Sequence, residues 1–371
     1  MKQARVLLIF SSSELGGAER SLTRMALAAN GQVRYTMATL DGCGPWVDWC
    51  HQLGAAPMVL GNRDGGGGRH GRYGLKAIIN LLSLVRRDRF DALYVIGLRA
   101  SLWVRFLRPL MGGVRLVHGI RWNPNSVSRL DRALRVAEFL LSYFIDSYIC
   151  NSQIAAKTLV QRAAIRQDKI QVIYNGLDQL PPPADGFATR SPNVVILANL
   201  NPRKGHREFL NVIQAVCQQV PQAHFFFVGR DDMNGQLATA VSEHNLNHAV
   251  TLVGYQADVN GWLSQSQLMV LPSRWGEGCP TSILEGFAHS LPVIAYAIDG
   301  IPELIDDGVD GALIPPGDTK AMTAAIVQCL LNPSQSEQMG QRGRAKVAQF
   351  FTLAHCAKQH DNVFSYLTQK G

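Results

Sequence analysis

Apolar, strand-like runs alternate with runs of helical period in both halves of this chain. Such alternation is typical of parallel sheets covered by helices, because parallel strands need long crossover connections. The segment QLPPPADGFATRSPN interrupts it between Gln179 and Asn193, and its three consecutive prolines predict a semi-rigid linker. A chain of 371 residues also exceeds the length over which a single core usually grows. We therefore predict two Rossmann-like α/β domains.

The predicted boundaries follow from this interruption. We expect a first domain over residues 1–180, a linker over 181–193, a second domain over 194–345 and a C-terminal helix over 346–371. Whether that helix returns to the first domain is left open. Ligands of such sheets bind beyond the carboxyl ends of the strands, where loops and helix N-termini gather. The two domains are therefore expected to face each other across a cleft.

Composition excludes several classes of protein. The seven cysteines are an odd number and widely scattered, which indicates reduced thiols and not a disulfide framework or a zinc site. No segment reaches the roughly 18 uncharged apolar residues of a membrane-spanning helix. The short apolar run near the N-terminus resembles a first strand more than a signal peptide. We expect a cytoplasmic protein that is soluble or peripheral to the membrane.

Positive charge is concentrated in the first half of the chain. The net charge is +8, and residues 1–180 hold 24 Lys and Arg against 12 Asp and Glu. Arginines between Arg86 and Arg135 are interleaved with apolar residues; Arg105 and Arg108 stand beside Trp103, Phe106, Leu107 and Leu110. This predicts an amphipathic patch suited to an anionic membrane surface. The alternative is solvated arginines over an ordinary core; no nucleic-acid-binding motif accompanies the charge.

The run SRWGEGCPTSILEGFAHSLPVIAY, residues 273–296, contains two glutamates with seven residues between them. Pro280 suits the first turn of a helix, and the free amides of Thr281, Ser282 and Ile283 would then form an anion site. Glu285, one turn further, could accept hydrogen bonds from a ribose, and Glu277 could reach the far side of a diphosphate. This spacing fits a nucleotide-sugar, although two solvated glutamates could show it as well.

Four further residues have both a structural and a functional interpretation. Gly16 and Gly17 follow the first strand, where they either let the backbone approach a phosphate or form an ordinary turn into a helix. Tyr255 belongs either to a base pocket or to the core. His118 ends a predicted strand, where a lone histidine is more often structural.

Five blocks of the sequence occur in the order found in one enzyme family. They are ELGGAER (Glu14–Arg20), VIYNGLD (Val172–Asp178), NPRKG (Asn201–Gly205), SRWGEGCPTSILEGFAHSLPVIA (from Ser273) and IDGIPELIDDGVDGALIPPGD (Ile298–Asp318). Together they resemble the retaining glycosyltransferases of family 4, which have the GT-B fold and an E-x7-E motif. The resemblance extends over nearly the whole chain.

The resemblance implies roles for the matching positions. Glu277 would bind hydroxyls of the donor sugar, and Arg203 and Lys204 would offset the charge of the departing diphosphate in place of a metal ion. Many relatives have an arginine at the position of Asn199, so Arg203 is the candidate for that missing charge. The implied catalytic residues are Glu277, Lys204, Arg203 and His118. The implied donor-binding residues are Glu285, Gly278, Cys279, Thr281, Ser282, Ile283, Asn199 and Tyr255, with Gly16 and Gly17 as the acceptor or phosphate loop.

The sequence thus predicts a GT-B enzyme with an N-terminal acceptor-binding domain and a C-terminal nucleotide-sugar-binding domain. It would move a hexose-type sugar, with retention of configuration, from a UDP- or GDP-linked donor. The acceptor would be a glycan or lipid-linked glycan of surface polysaccharide or lipopolysaccharide synthesis, at the inner face of the cell membrane. No cofactor, metal or nucleic acid is expected. The alternatives are a nucleotide-sugar epimerase on the same fold and a non-catalytic nucleotide- or membrane-binding protein.

Overall fold

The structure is a computed structural model, and it describes residues 3–29, 31–61, 74–121, 136–182 and 187–369. The chain divides into two compact units. The first consists of Met1–Asp178 together with Leu353–Gly371, and the second consists of Gln179–Thr352. Each unit contains one parallel sheet with helices, so the predicted α/β class is confirmed.

The first unit is built on a seven-stranded parallel sheet in the order β3-β2-β1-β4-β5-β6-β7. Its strands are β1 (Ala4–Phe10), β2 (Val33–Thr39), β3 (Met58–Val59), β4 (Ala92–Ile96), β5 (Arg115–Ile120), β6 (Ser147–Cys150) and β7 (Ile170–Val172). Its α-helices with described ends are Gly17–Ala28, Pro45–Gln52, Leu75–Asp88, Leu98–Leu107, Gln153–Ala163 and Leu353–Gln369. Residues 136–141 are also helical. All five residues of β4 are buried, as expected for a strand covered on both faces.

The second unit contains a six-stranded parallel sheet in the order β10-β9-β8-β11-β12-β13. Its strands are β8 (Asn193–Leu197), β9 (His224–Val228), β10 (Val250–Gly254), β11 (Leu268–Leu271), β12 (Val293–Tyr296) and β13 (Gly311–Ile314). Its α-helices are His206–Gln219, Gln236–Glu243, Asn260–Ser264, Thr281–Ala288, Thr319–Leu331 and Pro333–Phe350. Because β8 and β11 are neighbours, the loops that follow them lie side by side.

The predicted linker is largely part of the second unit. The side chain of Arg344 donates to the Pro181 carbonyl at 2.6 Å, and Phe187 is buried. Arg190 is tied to the same unit by two hydrogen bonds, one to the Ser266 carbonyl at 2.7 Å and one from the Gln267 amide at 2.6 Å. The described part of the predicted semi-rigid linker over residues 181–193 is thus attached to the second unit and does not stand apart from both domains.

The C-terminal helix begins later than residue 346. Residue 346 lies inside the helix Pro333–Phe350, and a new helix begins at Leu353 after a short break. This last helix packs on the first unit, where the Leu353 amide donates to the Leu177 carbonyl at 2.6 Å and the Tyr35 hydroxyl donates to Asp361 at 3.0 Å. The chain therefore returns to the first unit. Within the described ranges, every helix is too short or too polar to span a bilayer.

Candidate active site

The loop after β11 carries Glu277 in a fixed position. The backbone of Gly276 has φ +79°, a left-handed conformation that glycine adopts without strain. One carboxylate oxygen of Asp299 accepts hydrogen bonds from the amides of Gly276 and Glu277, at 2.6 Å and 3.2 Å. The Gly276 carbonyl accepts a hydrogen bond of 2.6 Å from the Arg203 guanidinium. The side chains of Asp299 and Arg203 therefore fix the backbone of the loop at Gly276 and Glu277.

Glu277 is buried and ion-paired. Its Oε1 atom accepts from the Lys204 ammonium at 2.5 Å and from the Ser273 hydroxyl at 2.6 Å. Burial alone would raise the pKa of this carboxyl. The charges of Lys204 and Arg203, with the two hydrogen bonds, outweigh burial and hold the pKa below its usual value. Glu277 is thus an ionised carboxylate whose charge is already compensated.

The loop after β8 brings the two cations to the same place. Pro202–Lys204 forms a turn of 3₁₀ helix, and Gly205 follows with φ +71°. A Cβ atom at Gly205 would stand 2.2 Å from the Pro272 carbonyl oxygen, so only glycine permits this approach to the end of β11. The Arg274 amide also donates to the Arg203 carbonyl at 2.9 Å. The structure therefore brings Arg203, Lys204 and Glu277 together, although 73 residues separate Lys204 from Glu277.

His206 follows this loop and is buried. Burial lowers its pKa, and the neighbouring charge of Lys204 lowers it further, to about 4. The imidazole is therefore neutral at physiological pH. It adds no third positive charge to the Arg203–Lys204 pair.

Asn199 has a structural contact in this arrangement. Its side-chain oxygen accepts from the Arg230 amide at 3.2 Å, and its carbonyl accepts from the Asn201 side chain at 3.3 Å. Asn199 therefore links the end of β8 to the segment after β9. The guanidinium of Arg203 is the second positive charge near Glu277, beside the Lys204 ammonium.

The helix Thr281–Ala288 follows Glu277 directly and begins after Pro280, which occupies the N-cap position. Thr281 and Ser282 are half-buried in its first turn, where backbone amides have no partner within the helix. The Ile283 amide, in contrast, donates to the Pro280 carbonyl at 3.2 Å. The predicted set of three free amides is thus wrong at Ile283, because the tight turn at Pro280 already uses that donor.

The other predicted donor-binding residues are placed around this helix. Glu285 lies half-buried one turn along it, and Gly278 and Cys279 are buried in the preceding loop. Tyr255 follows β10 with 51% of its surface exposed, which excludes the core interpretation. Ser273 and Asp299 were missed in the sequence analysis. Both lie within blocks that carry the family resemblance, and that position in the sequence could have marked them as residues of the site.

Gly16 and Gly17 do not form an open anion site. The helix Gly17–Ala28 begins here, and the amides of Gly16 and Glu19 donate to the Glu19 carboxylate. Burial raises the pKa of this carboxyl against the effect of those hydrogen bonds. The chain's own carboxylate therefore occupies the helix N-terminus that was predicted to receive a phosphate. The spacing from Gly16 to Glu19 is that of a capping box, which was the missed signal.

His118 is also corrected by the structure. It lies within β5 with no exposed surface, and its Nδ1 atom is 2.9 Å from the guanidinium of Arg105. Arg105 is itself fully buried and pairs with Glu138 at 2.7 Å. Burial lowers the pKa of His118 despite the nearby Glu138 carboxylate. His118 is thus part of a buried polar cluster, and it has no surface from which to contact a sugar.

In the described parts of the chain, no three His, Cys, Asp or Glu side chains come together as a possible metal-binding group. Lys204, Arg203 and Glu277 lie beyond the carboxyl ends of β8 and β11, close in sequence to the N-terminus of a helix. Such an arrangement can receive a multiply charged anion.

Comparison with known families agrees with this geometry. Residues 15–179 match the model described as "Glycosyltransferase Family 4", and residues 191–332 match the model described as "Glycosyl transferases group 1". The two matches cover both units in the order expected for such enzymes. The chain belongs to the family 4 glycosyltransferases. The predicted family is therefore confirmed.

Individual relatives of this glycosyltransferase show the extent of the likeness. An amylovoran biosynthesis glycosyltransferase, AmsK of Erwinia amylovora, is 30% identical over 42% of the chain, a match that spans 40% of the AmsK sequence. The Escherichia coli UDP-Gal:alpha-D-GlcNAc-diphosphoundecaprenol alpha-1,3-galactosyltransferase is 24% identical over 68% of the chain and 70% of its own length.

Solved structures show the same fold. Anabaena HepE, crystallised with UDP and glucose, superposes with a TM-score of 0.82 at 22% identity, covering 98% of this chain and all of the HepE chain. A sucrose-phosphate synthase from Thermosynechococcus elongatus gives a TM-score of 0.79 at 20% identity, with both chains fully covered. The predicted GT-B fold is confirmed by these similarities.

Proposed function

We propose that this glycosyltransferase moves a hexose-type sugar from a UDP- or GDP-linked donor to a glycan or lipid-linked acceptor in the synthesis of a surface polysaccharide or lipopolysaccharide. The observation that supports it most is the Lys204–Glu277 pair, with Arg203 beside it and the helix Thr281–Ala288 directly after it. This arrangement offers positive charge for a diphosphate and a fixed carboxylate for sugar hydroxyls.

The two cations would stabilise the leaving group. As the bond between the anomeric carbon and the phosphate oxygen breaks, its electron pair moves to the diphosphate, and negative charge grows there. Lys204 and Arg203 are held in place before the reaction, so they offset that charge without reorganisation. The first-turn amides of Thr281 and Ser282 would add hydrogen bonds at the same end. Neither a metal ion nor a cofactor is needed in this proposal.

Retention of configuration would follow from attack on the face that the leaving group vacates. The acceptor oxygen forms the new bond to the anomeric carbon, and its proton passes to the departing phosphate oxygen. Glu277 is a poor nucleophile for a double displacement, because Lys204 and Ser273 already occupy one of its oxygens and its pKa is lowered. We assign it instead to the donor's hydroxyls, and Glu285 to the ribose.

The acceptor assignment rests on the relatives. One is named for amylovoran biosynthesis, and another is named for transfer to a diphosphoundecaprenol-linked sugar. A lipid-linked acceptor would bring this enzyme to the inner face of the cell membrane as a peripheral protein. An epimerase would need an acid and a base free to exchange protons, whereas Glu277 is held by an ion pair.

A donor screen tests the proposal. Each UDP- and GDP-linked hexose is added to the full chain, and the melting temperature is recorded. A ligand present at 100 times its dissociation constant should add about 2.7 kcal/mol to the free energy of unfolding. The same ligand should stabilise the Lys204→Ala variant much less. Failure of every nucleotide-sugar to stabilise the wild type would overturn the proposed function.

A further inference from the structure

One helix of the first unit presents large apolar side chains to the outside. On Leu98–Leu107 and the turn Arg108–Leu110, the side chains of Trp103, Phe106 and Leu110 are 48%, 65% and 51% exposed. Their spacing of three and four residues places them on one face. Surface helices of globular domains usually have the opposite arrangement, with polar residues facing outwards.

A second segment repeats this arrangement. In residues 136–144, the side chains of Val136, Phe139, Leu140 and Tyr143 are 54%, 50%, 66% and 84% exposed. They again follow the helical spacing of three and four residues. Glu138, the one acidic residue of this segment, is only 3% exposed and faces inwards.

One buried and one partly exposed ion pair hold the two segments together. Arg105 donates to the Glu138 carboxylate at 2.7 Å, and both side chains are almost completely buried. Arg108 pairs with Asp146 at 2.7 Å and also donates to the Phe144 carbonyl. Of the two arginines that were predicted to face a membrane, Arg105 is therefore buried and Arg108 is turned towards Asp146 with 19% of its side chain exposed, which corrects that part of the expected patch. Turning them inwards directs both apolar faces outwards.

Arginines are the exposed charged residues described at these faces. Arg99 is exposed on the face of Trp103 and Phe106, and Arg86 lies at the edge of the surface, where it donates to the Leu110 carbonyl at 3.2 Å. Neither residues 98–110 nor residues 136–144 expose a carboxylate side chain. Aromatic and aliphatic side chains with arginine and no exposed acid suit the interface of an anionic bilayer.

We propose that Trp103, Phe106, Leu110, Val136, Phe139, Leu140 and Tyr143 form a membrane-inserting surface that enters the boundary between headgroups and acyl chains of an anionic bilayer. The inference deepens the proposed function, because it names the contact by which the enzyme meets a lipid-linked acceptor. Apolar insertion supplies most of the binding, and the surrounding arginines favour anionic lipid. A protein partner is the less suitable occupant, since the two faces offer few hydrogen-bonding groups to a polar rim.

The test uses the full chain and vesicles that contain no acceptor. Flotation is measured with vesicles of phosphatidylcholine alone and with vesicles that also contain phosphatidylglycerol. The Phe106→Ser/Leu140→Ser variant removes one large side chain from each segment. Burying such a side chain shifts a partition coefficient by about tenfold or more, so the double variant should bind anionic vesicles about a hundredfold less tightly. Wild-type binding to neutral vesicles should be weaker but measurable.

Leu331 and Phe350 provide a matched control, because they are 58% and 53% exposed on helices of the second unit. The Leu331→Ser/Phe350→Ser variant should bind vesicles as the wild type does. Equal vesicle binding by both double variants, or no binding of the wild type to anionic vesicles, would overturn the proposal. A concentration-dependent dimer that Phe106→Ser/Leu140→Ser abolishes would also overturn it and would identify a self-association surface.

Failure of this inference can be separated from failure of the proposed function. Binding of nucleotide-sugar and the melting temperature are measured on the same preparations. Both should match the wild type in the Phe106→Ser/Leu140→Ser variant, because the substituted side chains are exposed in the first unit. Loss of vesicle binding with donor binding intact is the expected result. Donor binding without any vesicle binding would leave the proposed function standing and remove the membrane-inserting surface.

Discussion

Replacing Lys204 with alanine should slow sugar transfer far more than it weakens binding of the nucleoside part of the donor. The Lys204 ammonium lies 2.5 Å from Glu277, and only 12% of its side chain is exposed. A preorganised charge in such a site costs no reorganisation when the leaving group departs. Removing one donor of this kind typically costs about 10²–10³ in turnover, or roughly 3–4 kcal/mol.

The same substitution should also destabilise the second unit. Glu277 would stay buried and would keep its hydrogen bond from Ser273 and the nearby charge of Arg203. It would lose its closest counterion. Breaking a buried ion pair from one side costs about 3–5 kcal/mol. Because Arg203 still offsets part of the charge, we expect a loss at the lower end. Much of it should be recovered by Glu277→Gln in the Lys204→Ala background, since that change removes the uncompensated charge.

Lys346 provides a control variant that should lose stability and keep its catalytic turnover. It is 17% exposed and pairs with the buried Asp310, outside the set of residues assigned to the donor. Lys346→Ala should lower the melting temperature in a similar way and leave turnover unchanged. Steady-state kinetics and thermal unfolding of the two single variants separate the effects. Normal turnover in Lys204→Ala would refute the assignment of this loop to the leaving diphosphate.

Three further variants or conditions extend the account. Glu285→Gln should weaken donor binding about tenfold or more, since hydrogen bonds to a charged acceptor contribute roughly 1.5–3 kcal/mol, and unchanged affinity in calorimetry would remove Glu285 from the site. Arg203→Ala should lower turnover as well, and a near-silent change would place the second cation elsewhere. Thermal unfolding should show stability falling below about pH 6.5. The pKa of buried His206 is about 4 and that of Glu138 about 2, both below unfolded-state values, so the unfolded chain binds protons first. Stability that is unchanged from pH 7 to pH 4 would contradict the lowered pKa of His206.

The sequence was sufficient to predict the strands of both sheets, because these strands are buried. Strands such as β4 and β11 are covered on both faces, and they appear as continuous apolar runs that hardly depend on context. The family resemblance implied that Lys204 and Glu277 share one site, and the structure places both in loops that follow the neighbouring strands β8 and β11. Neighbouring parallel strands bring such loops together.

Side-chain direction was not predictable in the same way. Arg105 stands in an apolar stretch and was expected at the surface, but its partner Glu138 lies 33 residues further along the chain. Only the packing of the two segments decides that both charges turn inwards. The resemblance implied a sugar contact for His118, whereas the structure buries it within β5 beside the same ion pair. The capping of the helix Gly17–Ala28 by Glu19 is different, because it is a local contact. The spacing from Gly16 to Glu19 could have been recognised in the sequence.

The configuration of the product reports most directly how the leaving group is held during the reaction. In the proposed mechanism, Arg203, Lys204 and the start of the helix Thr281–Ala288 hold the leaving diphosphate while the acceptor attacks from the same face. Proton NMR of the first product formed, recorded in the presence of EDTA, reports the anomer before any later reaction. We expect an anomer identical to that of the donor, formed at an undiminished rate. An inverted product, or no product while EDTA is present, would contradict this mechanism.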